Sequence, residues 1–234
     1  MNILGKYIKY LGSKIEQEIE DKVGKLLPAG RNLVFLDCGC DDGEKTIARA
    51  KKIGTKKILG FENIPERAML ARKKGVKVYA CDLNKKWPLK DASVDCLTAT
   101  EVIEHLIDLD NFFNESKRVL RKKGKIIVST ENLAAYHNII ALFFGNQPYT
   151  GPYLSNVYPI GHRPCGKFYQ KELPMDPHLS VMTTKALKQL LIAYDFKLEY
   201  ISPVGFYPLP PPLFKLFAQL DKYHASYIII KASK

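Results

Sequence analysis

The sequence lacks the long apolar runs that would place the chain across a membrane. Its longest run, IIALFF at 139–144, has six residues, against the ~20 needed to cross a bilayer, so we predict a buried helix there. The N-terminal stretch has charges between its apolar residues and no continuous apolar segment followed by a cleavage site. A secretory signal is therefore not expected, and the chain is predicted to be cytoplasmic.

Cysteine is scarce and poorly spaced for a disulfide framework or a zinc site. The five cysteines form an odd set without a CxxC pair; they are Cys38, Cys40, Cys81, Cys96 and Cys165. Because Cys38 and Cys40 flank a single glycine, they are poorly spaced for one metal ion. We predict reduced and mostly structural thiols.

Several catalytic motifs are also missing. The chain has no GxSxG elbow, no GxxxxGK[ST] loop and no HExxH helix. The chain therefore lacks the motifs that define a serine hydrolase, a P-loop nucleotide hydrolase or a zinc peptidase.

Acidic residues are outnumbered by basic ones. Thirty-six Lys and Arg stand against 24 Asp and Glu, a formal charge of +12, which would attract nucleic acid, anionic lipid or an acidic substrate. The lysines are nevertheless scattered along the chain, mostly at helix ends or before strands. This distribution favours an ordinary solvated surface.

The order of predicted elements indicates one α/β domain over residues 1–234, with an N-terminal helix over 1–28. Strands are predicted at 32–37, 56–62, 76–82, 93–100 and 124–130, and helical patterns lie between them. Alternation of this kind predicts a Rossmann-like, mostly parallel sheet with helices on both faces. Further along, TTKALKQLLIAYDF predicts a helix capped by Thr183 or Thr184, and FKLEYISPVG and ASYIIIKASK predict two closing strands.

Acidic residues stand at the carboxyl ends of the first four strands. They are Asp37, Glu62, Asp82 and Glu101. Ligands of open α/β sheets bind at this edge. Because carboxylates repel phosphates, the pattern favours a ligand that bears an amine, a positive sulfur and free ribose hydroxyls over a nucleoside triphosphate.

Four motifs in order give the chain a specific resemblance. FLDCGCDDG at 35–43, GFE at 60–62, ACDL at 80–83 and the segment from EVIEHL to STEN at 101–132 resemble a class I S-adenosylmethionine-dependent methyltransferase of the type-11 subgroup. The resemblance implies S-adenosylmethionine as cofactor. It also implies the strand order 3-2-1-4-5-7-6, with strand 7 antiparallel.

The resemblance assigns roles in cofactor binding to residues of these motifs. Those expected to contact the cofactor are Asp37, Gly39, Cys40, Asp41, Gly43, Glu62, Asp82, Leu83 and Glu101. The loop would offer backbone N–H groups to the methionine carboxylate. Glu62 would accept hydrogen bonds from the ribose hydroxyls, and Asp82 would accept one from the adenine amine. Leu83 would cover one face of the adenine ring. The alternatives are a helix N-terminal acid for Glu62 and a turn-forming acid for Asp82.

Asp41 departs from the family pattern, since it replaces the middle glycine of the loop. Glycine serves there because the backbone turns tightly, often at positive φ. Asp is among the few other residues that adopt this conformation at modest cost. We expect Asp41 to keep the turn while reshaping or weakening the cofactor contact.

Glu101, Glu104 and His105 have the i, i+3, i+4 spacing that shares one face of a helix. The segment resembles small-RNA 2′-O-methyltransferases, which use a comparable set and a later His to bind a metal; His178 is the candidate here. The same string is widespread in type-11 enzymes that act on small molecules, where the His serves as a general base or packs. His105 is therefore predicted as a catalytic base or substrate contact, with a metal site or a structural role as the alternatives, and no metal is assigned.

Residues from about 145 to 180 are rich in Pro, Gly and Tyr without a clear period. We predict a lid or acceptor-binding insertion, whose tyrosines either stack on a ring or pack the loop. The favoured function is methyl transfer to a small-molecule, lipid or glycan acceptor. The alternatives are a metal-assisted RNA 2′-O-methyltransferase, with RNA as partner, and a methyltransferase-like binding protein without catalysis. The oligomeric state is not predicted.

Overall fold

A computed structural model describes residues 3–155, 160–161 and 177–234. Its helices are α1 (Ile3–Leu26), α2 (Glu44–Ile53), α3 (Pro65–Lys73), α4 (Leu109–Val119), α5 (Tyr136–Phe143), α6 (Thr184–Ala193) and α7 (Pro211–Leu220). Its strands are β1 (Val34–Cys38), β2 (Lys57–Phe61), β3 (Lys77–Tyr79), β4 (Val94–Thr100), β5 (Leu120–Glu131), β6 (Lys197–Val204) and β7 (Tyr227–Ser233).

These strands form one seven-stranded sheet in the order β3-β2-β1-β4-β5-β7-β6. β1 pairs in parallel with β2 and β4, whereas β7 runs antiparallel between β5 and β6. The strand order and the antiparallel β7 confirm the prediction. The central strands are buried on both faces because helices cover both sides, as a parallel sheet requires.

Helix α1 covers part of the sheet and borders its carboxyl edge. Its inward residues Leu11, Ile15, Ile19 and Val23 recur every four residues, and each is at most 4% exposed. None of the helices that the structure describes is long and apolar enough to cross a membrane.

The segment from Glu101 to Leu106 is not part of a continuous helix, and that prediction is wrong. Glu101 has a left-handed backbone with φ of 54°, and only Ile103–His105 form a short 3₁₀ turn. Asp108 then starts α4 by accepting a hydrogen bond from the Asn111 N–H at 2.8 Å. The left-handed residue and the new cap break the helical spacing, so Glu101 and Glu104 do not share a helix face.

The prediction of a buried helix at 139–144 is also wrong in its burial. The helix is present as α5, but its buried residues are Asn138 and Ala141. Phe143 and Phe144 are 81% and 69% exposed. Apolar composition alone does not show which face of a helix meets the core, and here the small residues do so.

Much of the predicted insertion falls outside the described residues. Positions 156–159 and 162–176, including Cys165, lie there. The lid therefore stays a prediction. The remaining cysteines are Cys38, Cys40, Cys81 and Cys96, and each is a free, buried thiol.

Candidate active site

A crevice of about 970 Å³ opens at the carboxyl edge of the sheet. Among its lining residues are Asp37, Gly39, Cys40, Asp41, Glu62, Asp82, Leu83, Glu101 and His105, which the sequence singled out. Gly43 was predicted with them but does not line the crevice. A Cβ added to Gly43 would lie 2.9 Å from the Ala71 Cα, so its glycine is needed for packing against α3.

The loop after β1 turns through left-handed conformations. The φ angles of Gly39, Asp41 and Gly43 are 71°, 47° and 83°. Asp41 thus keeps the turn that a glycine would make, as predicted. A Cβ on Gly39 would lie 2.7 Å from the Val102 Cγ2, so the backbone passes too close to its neighbour for a side chain.

The backbone N–H groups of this loop are bonded within the protein. Those of Gly39 and Cys40 donate to the Phe61 carbonyl oxygen at 2.9 and 3.0 Å. The Asp41 N–H donates to the Glu62 Oε2 at 3.0 Å. In this structure these N–H groups are already bonded within the protein, and their offer to a ligand carboxylate stays a prediction. Glu62 ties the loop to the tip of β2.

Asp37 points its carboxylate into a buried network. Its oxygens accept hydrogen bonds from the Thr46 and Thr98 hydroxyls at 2.6 and 2.5 Å and from the Arg49 guanidinium at 2.9 Å. Arg49 also donates to Glu20 of α1 at 2.6 Å. The charge of Asp37 is thus compensated inside the protein, so Asp37 adds less negative charge to the crevice than the sequence suggested.

Sequence reasoning missed Arg49 and the α1 acids that face it. A signal was present, because Thr46, Arg49, Ala50 and Ile53 recur at helical intervals on the buried face of α2. An arginine on that face needs an acid to neutralise it. The carboxylate Glu20 comes from α1, and its location depends on tertiary packing rather than on local pattern.

Glu62 and Asp82 are the acids best placed to accept hydrogen bonds from a nucleoside. Both are half-buried and stand just after neighbouring strands β2 and β3. Asp82 also accepts from the Asn84 N–H at 3.0 Å, which is the turn contact weighed as its alternative role. A carboxylate accepts several hydrogen bonds, so both groups retain capacity for hydroxyl or amine donors. This donor and acceptor chemistry fits the nucleoside part of S-adenosylmethionine.

A second polar cluster lies beside the crevice, where three carboxylates and two imidazoles meet. Glu101 accepts from the Ser129 hydroxyl at 2.6 Å, and Glu104 accepts from the Thr130 hydroxyl at 3.1 Å. The His178 Nδ1 lies 3.2 Å from the Glu131 Oε2. Glu131 was not predicted, although it stands at the carboxyl end of β5, where the same edge rule applies.

Burial sets the protonation of this cluster. Burial, followed by repulsion from Glu104, raises the pKa of Glu101 well above its ordinary range. Burial likewise raises the pKa of Glu104 to about 8. For His178, burial lowers the pKa, but the bond and charge of Glu131 outweigh it, so the net change is upward. Both upward shifts favour the protonated, uncharged form of these carboxyl groups.

Three members of the cluster lie close enough together to share a metal ion. One ligand atom from each of Glu104, His105 and His178 can be chosen so that all lie within 4.8 Å of one another. The rings of the two histidines are 4.9 Å apart. Two imidazoles and a carboxylate suit several divalent transition metals. Glu101, a further ligand in the metal-site alternative, is not in this group.

Comparison with known proteins shows what the first half of the chain is similar to. Residues 36–128 match the model of a family described as "Methyltransferase domain". Over these residues the chain is similar to a methyltransferase domain, and its strand order is that of the class I methyltransferase fold. A "Probable S-adenosylmethionine-dependent methyltransferase" of Mycolicibacterium smegmatis is 37% identical over 106 residues, which make up 44% of this chain and 39% of that relative. The human mitochondrial ubiquinone biosynthesis O-methyltransferase is 24% identical over 169 residues, or 66% of this chain and 44% of that relative.

A solved structure supports the same fold. The geranyl diphosphate C-methyltransferase of Streptomyces coelicolor, in complex with Mg²⁺, geranyl diphosphate and S-adenosyl-L-homocysteine, aligns with a TM-score of 0.60. Sequence identity is 16%, and the alignment covers 98% of this chain and 84% of that one. At that identity the likeness shows the methyltransferase fold alone. The chain spans about two fifths of the length of the curated relatives named above.

Proposed function

We propose that the protein transfers a methyl group from S-adenosylmethionine to a small-molecule, lipid or glycan acceptor in the cytoplasm. The observation that carries the proposal is the pair Glu62 and Asp82, two carboxylates at neighbouring strand ends above a close-turning loop. A nucleoside with free hydroxyls and an exocyclic amine donates to such acceptors. The donor of this reaction has both.

In this proposal the chain's own residues position the donor. Glu62 accepts from the ribose hydroxyls while it holds the Asp41 N–H, so ligand binding and loop shape are linked. Leu83, buried against Trp87, supplies an apolar wall for the adenine ring. The cofactor supplies an activated methyl group on a positive sulfur, and the protein needs mainly to align the acceptor and exclude water.

His105 is the proposed base or acceptor contact. It lines the crevice, and its Nδ1 lies 3.3 Å from the Pro177 carbonyl oxygen. A carbonyl accepts hydrogen bonds only, so this contact favours a proton on Nδ1 and a lone pair on Nε2 in the neutral ring. Such a ring can take a proton from an acceptor hydroxyl. Residues of the predicted insertion at about 145–180 are proposed to complete the acceptor pocket.

A test separates donor binding from chemistry. Calorimetry should show binding of S-adenosylmethionine, and a coupled assay should show S-adenosylhomocysteine formed with a phenolic, isoprenoid or sugar acceptor. His105→Gln should lower kcat by about 10²- to 10⁴-fold if His105 is a base, with donor affinity unchanged. His224→Gln is the matched control, because His224 bonds to Asp221 in a different region. Product formed by the wild type would exclude a binding-only role, whereas the absence of donor binding would refute the proposal.

A metal-assisted RNA 2′-O-methyltransferase is the second candidate. It is favoured by the grouping of Glu104, His105 and His178. One observation weighs against it: Glu101 is not in the group. Mn²⁺ titration of wild type and His178→Gln, followed by RNA methylation with and without EDTA, tests it. Methylation that survives EDTA would remove the metal version.

A further inference from the structure

Helix α5 turns its bulky apolar residues away from the domain. Ile140, Leu142 and Phe143 are 53%, 54% and 81% exposed, while its buried residues are Asn138 and Ala141. A solvated helix normally has the opposite arrangement. An exposed apolar face of this kind marks a surface that meets another apolar phase.

Helix α7 also exposes bulky apolar residues. Leu213, Leu216 and Leu220 are 43%, 50% and 75% exposed. The first residue of α5 contacts the residue that follows α7, because the Tyr136 hydroxyl donates to the Asp221 Oδ2 at 2.9 Å. The α5–α7 face is defined here as Ile139, Ile140, Leu142, Phe143, Phe144, Leu213, Leu216, Phe217 and Leu220.

Basic residues border the α5–α7 face, and acids are almost absent from it. Residues 136–154 contain no Lys, Arg, Asp or Glu, and residues 205–223 contain one acid, Asp221, which is hydrogen-bonded. The first half of α1 joins this region through the Tyr7 hydroxyl, which donates to the Pro208 carbonyl oxygen at 3.1 Å. That half carries lysines and no acid. The lysines bordering the face are Lys6, Lys9, Lys215 and Lys222, and all four are exposed.

We propose that the α5–α7 face docks on the surface of a bilayer that contains anionic phospholipids. Phe and Leu side chains enter the acyl boundary of a bilayer, and bordering lysines interact with anionic headgroups. A second copy of the chain is a poorer occupant. It would bring another chain of charge +12 and another lysine border against the first.

The α5–α7 face is connected to the active site by two contacts. The Asn138 side chain of α5 donates to the Thr150 hydroxyl at 2.9 Å. The His178 Nδ1 lies 2.8 Å from the Thr150 carbonyl oxygen. Docking therefore brings the bilayer near the acceptor end of the crevice. This part rests on the proposed function and narrows its acceptor to a membrane-resident lipid with a polar head that reaches His105.

Vesicle sedimentation of the purified chain tests the docking. Wild type should sediment with vesicles of phosphatidylcholine and phosphatidylglycerol, bind those of phosphatidylcholine alone more weakly, and lose binding to the mixed vesicles as salt rises. The triple variant Phe143→Ser, Phe144→Ser, Leu220→Ser should bind at least tenfold more weakly. Ile192→Ser is the matched control, because Ile192 is 57% exposed on α6, outside the face.

Melting temperatures of both variants should match wild type, because every substituted side chain is exposed. Three results would overturn the docking: no vesicle binding by wild type, equal binding by the triple variant, or a stable wild-type dimer in solution that the triple variant abolishes. A separate titration with S-adenosylmethionine distinguishes the two proposals. Donor binding without vesicle binding refutes only the docking, and vesicle binding without donor binding supports the docking while refuting the proposed function.

Discussion

Arg49→Met should destabilise the protein strongly. The Arg49 and Asp37 side chains are only 4% and 2% exposed, so the substitution leaves the Asp37 carboxylate buried without its counter-charge. Removing one partner of such a pair costs about 3–5 kcal/mol. The hydroxyls of Thr46 and Thr98 still donate to Asp37, which places the expected loss near the lower end of that range. Against the ~5–15 kcal/mol that stabilises a typical domain, this is a large fraction.

Urea unfolding measures this loss directly. At a typical slope of ~1–3 kcal/mol per molar urea, the midpoint should fall by about 1 M or more. Lys45→Met is the control, because it removes an ion pair on the surface. The side chains of Lys45 and its partner Glu16 are 53% and 60% exposed, and exposed ion pairs contribute under ~1 kcal/mol to stability. The double variant Asp37→Asn, Arg49→Met should recover part of the loss. A loss below ~1 kcal/mol for Arg49→Met, or no recovery in the double variant, would refute the reasoning.

Two further predictions concern the loop and the polar cluster. Asp41→Gly should leave the free energy of unfolding within about 1 kcal/mol of wild type. Asp41→Val should lower it by about 1–2 kcal/mol, because a β-branched residue is strained at positive φ. Urea unfolding of both variants measures the difference. Glu104→Gln should flatten the pH dependence of stability. Because the pKa of Glu104 is raised to about 8 from an ordinary 4.5, the folded state keeps a proton that the unfolded state releases, so wild-type stability falls as pH rises through that interval. Thermal melts across the interval check this, and an equal slope in Glu104→Gln would contradict it.

The sheet could be predicted because local signals agreed along the chain. Pro65 at the first turn and Gly75 after the last mark the ends of α3, and both stand there in the structure. The order of strands came from family resemblance, since periodicity carries no information about which strands are neighbours. The structure confirms that order.

The details of the site were less predictable, for physical reasons. The spacing of the neighbouring residues predicts that Glu101 lies in a helix. In the structure its positive φ separates it from the 3₁₀ turn that follows. The Asp37 carboxylate was placed at the ligand because a strand-end acid usually faces the crevice. It does line the crevice, but its charge is compensated by Arg49, and the position of Glu20, the second partner of Arg49, depends on the packing of α1.

Exposure of α5 was the least predictable feature. An apolar run indicates that water is avoided, but it does not specify whether the partner is the protein core or another apolar surface. Asn138 was the available signal, since its buried amide bonds to the Asn132 carbonyl oxygen at 3.0 Å. A polar residue on the inward face leaves the larger apolar residues for the outside.

Glu62 is the carboxylate proposed to select the ribose of the donor, and the proposed function depends on it most. Calorimetric titration with S-adenosylhomocysteine of wild type, Glu62→Ala and Glu66→Ala tests this; Glu66 lies in the first turn of α3 and is exposed. Losing hydrogen bonds to a charged acceptor costs ~1.5–3 kcal/mol, so Glu62→Ala should bind about 10- to 100-fold more weakly, while Glu66→Ala binds as wild type does. Absence of binding by the wild type, or unchanged affinity in Glu62→Ala, would contradict the account.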